Sequence, residues 1–207
     1  ALMANEIERV EPPALPLAPE DYQRPFMDQN SNVLRLFFNR LVNSLNTLLS
    51  TDDGGKGLYM PRGAFYSTQD QTATSINTGY AVTLNNTAYS SGVSVSNNSR
   101  INVTNAGVYK FDVTLQLEHN NSSETPVTVW EQKNGSAIAY SGHMFDVKGN
   151  DDYVIHWGFS VVLAANDYIE IYWATGDTQL NLHTEAASSP HPGIPSASVD
   201  VSYVSNS

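Results

Sequence analysis

The sequence predicts a mainly β fold: an antiparallel jelly-roll sandwich preceded by an extended proline-rich arm and one short amphipathic helix. The first reason is strict two-residue alternation between residues 109 and 118, because successive residues of a strand point to opposite faces of a sheet. The second is that similar short alternating segments fill the chain from residue 58 onward. The third is that apolar residues at helical spacing occur in a single stretch before residue 50.

An extended attachment arm is predicted for residues 1–29. This segment contains five prolines and no apolar periodicity. Proline lacks an amide donor and disfavours helix in the residue before it. A disordered tail is one interpretation. We favour an arm that lies along a partner protein, anchored by Leu15, Leu17, Tyr22 and Phe26, because a solvated linker has little use for such side chains.

A helix is predicted for residues 30–50, followed by a hinge at 51–60, which begins with the sequence TDDGGKG at 51–57. Asn30 or Ser31 can cap the helix, and no Gly or Pro follows until Gly54. Its apolar residues are spaced four and three apart, as in a heptad repeat: Leu34, Phe38, Leu41, Leu45 and Leu48. The helix could pack on its own domain. We favour a trimeric helix bundle, because the helix lies outside the β region.

The head domain is predicted for residues 61–207. Its candidate strands are 64–68, 81–84, 93–95, 99–103, 108–118, 127–132, 136–140, 153–163, 168–174, 180–182 and 196–204. Asn134-Gly135 predicts one tight hairpin, and residues 164–167 predict a turn between two strongly apolar strands. The predicted core contains Tyr109, Phe111, Val113, Leu115, Leu117, Trp157, Phe159, Ile169 and Ile171. Short strands without intervening helices indicate an antiparallel sandwich or jelly roll.

Composition limits the classes of partner. Only 15% of residues are charged, and the formal net charge is −11, which disfavours nucleic acid and anionic membrane surfaces. The sequence contains no cysteine and shows no apolar leader, so we expect assembly in a reducing cytoplasm. No segment has the length and apolarity of a membrane span.

Residues 107–111, Gly-Val-Tyr-Lys-Phe, resemble the G-x-Y-x-F strand of the jelly-roll superfamily that includes tumour necrosis factor and the complement globular heads. Two further segments follow in the matching order: the strand and hairpin at 130–135, and residues 163–171. The latter resemble an L-x-x-G-D-x-V-x-(apolar) pattern, with Asn166 where Gly is usual. The closing F-x-G-x-L pattern is absent, and residues 194–199 take its place. The resemblance implies a compact homotrimer with inward aromatic strands around a threefold axis.

The ending and the arm together resemble structural proteins of tailed bacteriophages, cyanophages in particular. This resemblance implies a non-enzymatic homotrimeric virion protein: a spike, fibre or decoration protein anchored to the capsid or tail by its N-terminal arm. We expect it on the particle surface, after assembly in the bacterial host cytoplasm. The alternative is a receptor-binding head that recognises host-surface glycans. A free, secreted signalling or lectin-like trimer is a third interpretation, which the absence of a leader disfavours.

No residue pattern predicts catalysis or a cofactor. There is no G-x-S-x-G elbow, and the five histidines lack ligand spacing: His119, His143, His156, His183 and His191. A calcium loop formed by Asp146, Asp151 and Asp152 is the metal hypothesis, against a solvated loop tip. Several aromatic residues could stack on sugars, although core or trimer packing accounts for most of them: Tyr80, Tyr89, Tyr140, Tyr153, Tyr168, Tyr172, Trp130 and Trp173.

Overall fold

The computed structural model describes residues 13–15, 20–49 and 60–206. The chain divides into two compact units between residues 59 and 60, and each is described by itself. Much of the predicted arm, including Leu17, lies outside the described residues, as does the predicted hinge up to residue 59.

Helix α1 spans Arg24–Leu49 and begins six residues before the predicted start at residue 30. Pro25 lies in its first turn, where the amide that proline lacks would have no acceptor within the helix. The amide of Met27 donates to the carbonyl oxygen of Gln23 at 3.2 Å, which begins the helical pattern. The predicted boundary of the arm was therefore wrong, and residues 24–29, including Phe26, belong to the helix.

The second unit contains fourteen strands within residues 60–206. They are β1 (Arg62–Ser67), β2 (Gln71–Thr72), β3 (Tyr80–Ala81), β4 (Asn86–Ser91), β5 (Val93–Ser96), β6 (Arg100–Val103), β7 (Gly107–His119), β8 (Thr125–Lys133), β9 (Ser136–Ala137), β10 (His143–Val147), β11 (Asp151–Leu163), β12 (Tyr168–Thr175), β13 (Leu180–Leu182) and β14 (Ala197–Ser205). Every predicted strand has a counterpart, although β3 and β9 are shorter than predicted. The short strands β2, β4 and β10 were not predicted.

The first sheet is built on β7, whose two edges are both paired. One edge pairs with β11 over its full length, and the other pairs with β14 and, beyond its end, with β13. The sheet continues from β14 to β1 and β4, while β13 pairs with β2. All of these pairings are antiparallel. The predicted position of β7 as a central strand is confirmed.

The second sheet has the order β10-β8-β12-β6-β5, with β3 beside β12 and β9 beside β8. Most strand pairs in the two sheets join distant parts of the sequence, as a jelly roll requires, while β5–β6 and β8–β9 are pairs of consecutive strands. The predicted fold class, a mainly β antiparallel sandwich with one helix, is confirmed.

The core lies between the sheets and is centred on the inward face of β7. Tyr109, Phe111, Val113, Leu115 and Leu117 are fully buried, as the alternation predicted. Most of the remaining predicted core residues are buried with them, namely Trp157, Ile169 and Ile171. Phe159 is only partly buried, and its ring stacks on Phe111 with centroids 4.9 Å apart.

Both predicted turns form, and they are joined to each other. Asn134 and Gly135 adopt φ values of 51° and 79°, as the tight hairpin between β8 and β9 requires. Asn166, with φ 68°, occupies the left-handed position where glycine is usual. The side-chain amide of Asn134 donates to Asp167 at 2.7 Å, and its oxygen accepts from the amide of Tyr168. These bonds fix the same end of β8 and β12.

Candidate functional site

The first candidate surface is an apolar seam along α1, formed by Met27, Leu34, Phe38, Leu41, Leu45 and Leu48. Five of these positions are the predicted heptad residues. Met27 joins them because the helix begins earlier than predicted, and it lies seven residues before Leu34. Phe38, Leu45 and Leu48 are 55%, 45% and 38% exposed, while Leu34 and Leu41 are half-buried. The seam is therefore a row of large apolar side chains in contact with water.

The apolar surface of α1 is wider than this seam. Val42, which is exposed, lies beside Leu41 and Leu45, and the ring of Phe37 packs edge-on against Phe38 with centroids 5.6 Å apart. Arg35 lies off the seam and donates to the side chain of Asn32. In a simple two-stranded coiled coil, the apolar stripe consists of two positions in each heptad. The apolar stripe of α1 is wider than that.

The predicted arm anchors lie on both sides of the helix start. Leu15 and Tyr22 precede the helix and are exposed, Tyr22 to 82%. Phe26 is half-buried in the first turn of α1, and Leu17 lies outside the described residues. Leu15 and Tyr22 thus offer apolar surface to a partner.

Between the two sheets of the head, a carboxyl group and an indole form a buried hydrogen bond. Glu131 projects inward from β8 and is 2% exposed, and the Nε1–H of Trp157 on β11 donates to its Oε1 at 2.7 Å. The backbone amide of Glu131 donates to the hydroxyl oxygen of Ser141 at 3.2 Å. The hydrogen bond between Trp157 and Glu131 links the two sheets and is structural. The sequence hinted at it, because Glu131 occupies an inward position of an alternating strand.

A second buried acid lies on the outer side of the second sheet. Glu170 of β12 accepts a hydrogen bond from the hydroxyl of Ser99 at 2.7 Å, and the Nε of Arg100 lies 3.5 Å from the same oxygen. The guanidinium of Arg100 also covers the ring of Tyr168, at 4.6 Å from its centroid. Burial, together with the nearby Glu170, raises the pKa of Tyr172. These contacts hold β6 to β12.

His119 and Asp177 connect three loops at one end of the sandwich. The ring of His119 is buried, with Nδ1 3.1 Å from the carbonyl oxygen of Lys148 and Nε2 3.4 Å from Asp177. The amide of Gln179 and the side chain of Asn121 donate to Asp177, and these bonds hold the pKa of Asp177 below its usual range. The cluster is a structural clamp.

The other histidines are dispersed. His156 lies on the outer face of β11, and its Nδ1 is 3.0 Å from the hydroxyl oxygen of Thr114. His183 lies 3.2 Å from a carboxylate oxygen of Asp70. The ring of His143 is 6.3 Å from that of Trp157, and Nδ1 of His191 is 3.0 Å from the carbonyl oxygen of Pro192.

The three acids of the calcium hypothesis lie on two different sheets. Asp146 belongs to β10, whereas Asp151 and Asp152 begin β11, and all three are exposed. One oxygen of Asp151 accepts from the amide of Asp152 at 3.0 Å. Among the described residues, no three His, Cys, Asp or Glu side chains are grouped as metal ligands would be.

A surface cleft lies where the segment between β13 and β14 folds back over the end of β1. We call it the hairpin cleft. Its volume is about 400 Å³, and it is lined by Tyr66 and Thr68 on one side and by residues 184–187 and 193–195 on the other. The two arms of the hairpin pair through Glu185 and Ile194, whose amides and carbonyls exchange hydrogen bonds at 2.9 Å. No sequence pattern indicates this cleft, because residues 66 and 185 are far apart in the chain.

The aromatic side chains considered for sugar stacking have varied environments. Trp173 is buried, and Trp130 packs against Tyr172 with ring centroids 5.6 Å apart. Tyr140 is fully exposed and Tyr89 is 52% exposed. Tyr66, which lines the hairpin cleft, was not among the predicted residues.

The comparisons with known proteins concern backbone arrangement alone. No protein-family model matches the chain, and no curated protein sequence matches it. Crystal structures of murine APRIL are similar: the one at pH 5.0 has 11% identity and a TM-score of 0.48, covering 70% of this chain and 99% of APRIL. Those at pH 8.0 and pH 8.5 each have 12% identity and a TM-score of 0.45, over 70% and 69% of this chain and 99% and 98% of APRIL. Within the described residues, no helix is long and apolar enough to cross a membrane.

Proposed function

We propose that this chain is a non-enzymatic, homotrimeric structural protein of a phage virion. In this proposal α1 forms a trimeric bundle, the jelly-roll head faces outward, and the N-terminal arm attaches the trimer to capsid or tail proteins. The protein forms a spike, a fibre or a decoration of the particle surface and is assembled in the bacterial cytoplasm. The phage assignment and the trimer rest on the sequence resemblances described above.

The observation that carries the proposal is the exposed seam of α1. Helix α1 has 26 residues, and helices in proteins are stabilised mainly by packing of an apolar face. Among the described residues of α1, Phe38 is 55% and Leu45 is 45% exposed, so a large part of their apolar surface remains uncovered. Two further copies of α1 would cover this surface, because each seam packs into the seams of its neighbours.

The width of the apolar stripe favours more than two helices. A two-stranded coiled coil covers a narrow seam, and the flanking positions are usually charged. Here the flanking positions include Phe37 and Val42, and Val42 is 50% exposed. In a three-helix bundle these side chains would lie against neighbouring helices.

A trimer would strengthen the attachment of the arm to a partner protein. Among the described residues before the helix, the exposed predicted anchors are Leu15 and Tyr22, which present a small apolar surface in one copy. Three arms held on one bundle raise the effective concentration of the second and third contacts, so weak single contacts give firm overall attachment. The negative charge of the chain does not oppose binding to other proteins, although it opposes binding to nucleic acid.

The oligomeric state tests the role of the helix. Light scattering of the full chain should give about 68 kDa, three times the chain mass of 22.6 kDa. Leu45→Asp places a charge in the seam and should dissociate the trimer at concentrations where the unmodified chain stays assembled. Leu36→Asp is the matched control, because Leu36 is 59% exposed but lies off the seam. A monomeric wild-type chain, or equal effects of both substitutions, would contradict the bundle.

The location tests the virion assignment. Electron microscopy of purified particles, with an antibody or tag on the head, should show label on the capsid or tail surface. Deletion of residues 1–23 should leave the trimer intact but remove it from particles. A protein that is absent from particles would refute the structural role, whatever its oligomeric state.

A further inference from the structure

The hairpin cleft has the features of a small binding site that is built before any ligand arrives. The amide of Thr184 donates to the side chain of Asp70 at 2.8 Å, and the amide of Ser196 donates to the carbonyl of Ser67 at 3.0 Å. These bonds fix both ends of the hairpin to the end of β1. A site held in this way loses little freedom when it binds a ligand.

The polar groups around the hairpin cleft form a complementary donor and acceptor set. The hydroxyl oxygen of Thr68 accepts from the side-chain amides of Asn85 and Asn86, so its own hydrogen remains available to a ligand. The hydroxyl of Thr184 already donates to the carbonyl of Ile194 at 2.8 Å, so its lone pairs remain available as acceptors. A ligand hydroxyl, which both donates and accepts, matches this pair.

The remaining lining indicates a ring with one apolar face. Tyr66 is half-buried and offers an aromatic surface, and Ala187 and Ile194 add aliphatic contacts. The charged side chain on the rim is Glu185, a hydrogen-bond acceptor. Sites for small ligands combine a mostly apolar lining with a few polar groups that fix orientation, at volumes of about 300–1,000 Å³.

Charge restricts the ligand further. Residues 60–206 include thirteen acidic and five basic side chains, and the residues that line the cleft include one acid, Glu185, and no base. An anionic ligand would meet repulsion from both the net negative charge and Glu185. We infer that the hairpin cleft binds a neutral pyranose ring of a glycan, with its C–H face on Tyr66 and its hydroxyls on Thr68, Thr184 and Glu185. This site does not depend on the trimer or on the virion role proposed above.

Ligand-observed NMR on the full chain tests the inference, with methyl glycosides of glucose, galactose, mannose and N-acetylglucosamine as probes. At least one of them should bind with a Kd of roughly 1–10 mM. Tyr66→Ala should weaken this binding at least about tenfold, and Glu185→Gln should weaken it several-fold. Tyr89→Ala should leave it unchanged, because Tyr89 is an exposed tyrosine outside the cleft.

Further variants and probes make the test decisive. Ala187→Phe places a large side chain in the cleft from an exposed position, so it should block binding without affecting the core. This variant keeps the test decisive if Tyr66→Ala fails to fold. N-acetylneuraminic acid and tetramethylammonium serve as charged comparators. Failure of all four neutral glycosides to bind, unchanged binding in Ala187→Phe, or preferred binding of either charged probe would overturn the inference.

Discussion

The buried hydrogen bond between Trp157 and Glu131 gives the sharpest prediction about the stability of the head. Trp157→Phe removes the indole N–H and leaves the carboxyl group of Glu131, 2% exposed, without this donor. Leaving a buried acceptor unsatisfied costs about 1–3 kcal/mol in the free energy of unfolding. The smaller phenylalanine ring adds a loss of packing, so the single substitution cannot assign the effect by itself.

A double-mutant cycle separates the two losses. Glu131→Leu removes the buried polar group, and in that background Trp157→Phe should lose packing alone. Urea unfolding followed by circular dichroism gives the four free energies, and the coupling between the two positions should be about 1–3 kcal/mol. Trp130→Phe is the matched control, because Trp130 packs against Tyr172 on the outer side of the second sheet. A coupling below about 0.5 kcal/mol would refute the reasoning.

Three further predictions concern the core, the helix and the structural clamp formed by His119 and Asp177. Val113→Asp should abolish the β signal in circular dichroism, since burying an unpaired carboxylate costs several kcal/mol against a total stability of about 5–15 kcal/mol; a folded variant would contradict the placement of β7. Leu41→Asp should disturb assembly while the β signal persists, and loss of the whole fold would place α1 in the head core. The pKa of Asp177 is lowered in the folded state. Its contribution to the free energy of unfolding is therefore complete above the unfolded pKa of about 4, and it is lost as the pH falls through the folded pKa. The thermal midpoint should therefore fall in acid, and Asp177→Asn should make that decrease smaller. If the thermal midpoint of the variant depends on pH as steeply as that of the wild type, Asp177 is not the cause of the decrease.

The strongest strands could be predicted from sequence because their periodicity is local. In β7 and β11 every second side chain is apolar, and this pattern alone identifies the buried face. The hairpin at Asn134-Gly135 was predictable for a similar reason, since only a few residues adopt the left-handed conformation of both turn positions.

The missed strands have no such local signal. Strand β4, Asn-Thr-Ala-Tyr-Ser-Ser, is exposed along almost its whole length and is a strand only because its backbone pairs with β1. The predicted start of α1 was wrong because prolines, Pro25 among them, usually indicate extended chain. Proline is tolerated in the first turn of a helix, and the sequence around Pro25 does not distinguish the two cases.

The sequence by itself determined the mainly β class, the inward face of β7, the two tight turns and the heptad spacing of α1. These features depend on residues that are neighbours in the chain, so their periodicity and turn chemistry are visible without a structure. The tertiary structure alone decided the pairing of β7 with β14, the burial of Glu131 against Trp157 and the approach of Glu185 to Tyr66 in the hairpin cleft. Each of these joins segments separated by tens of residues, and no local pattern specifies which distant segments meet when the two sheets bury their apolar faces.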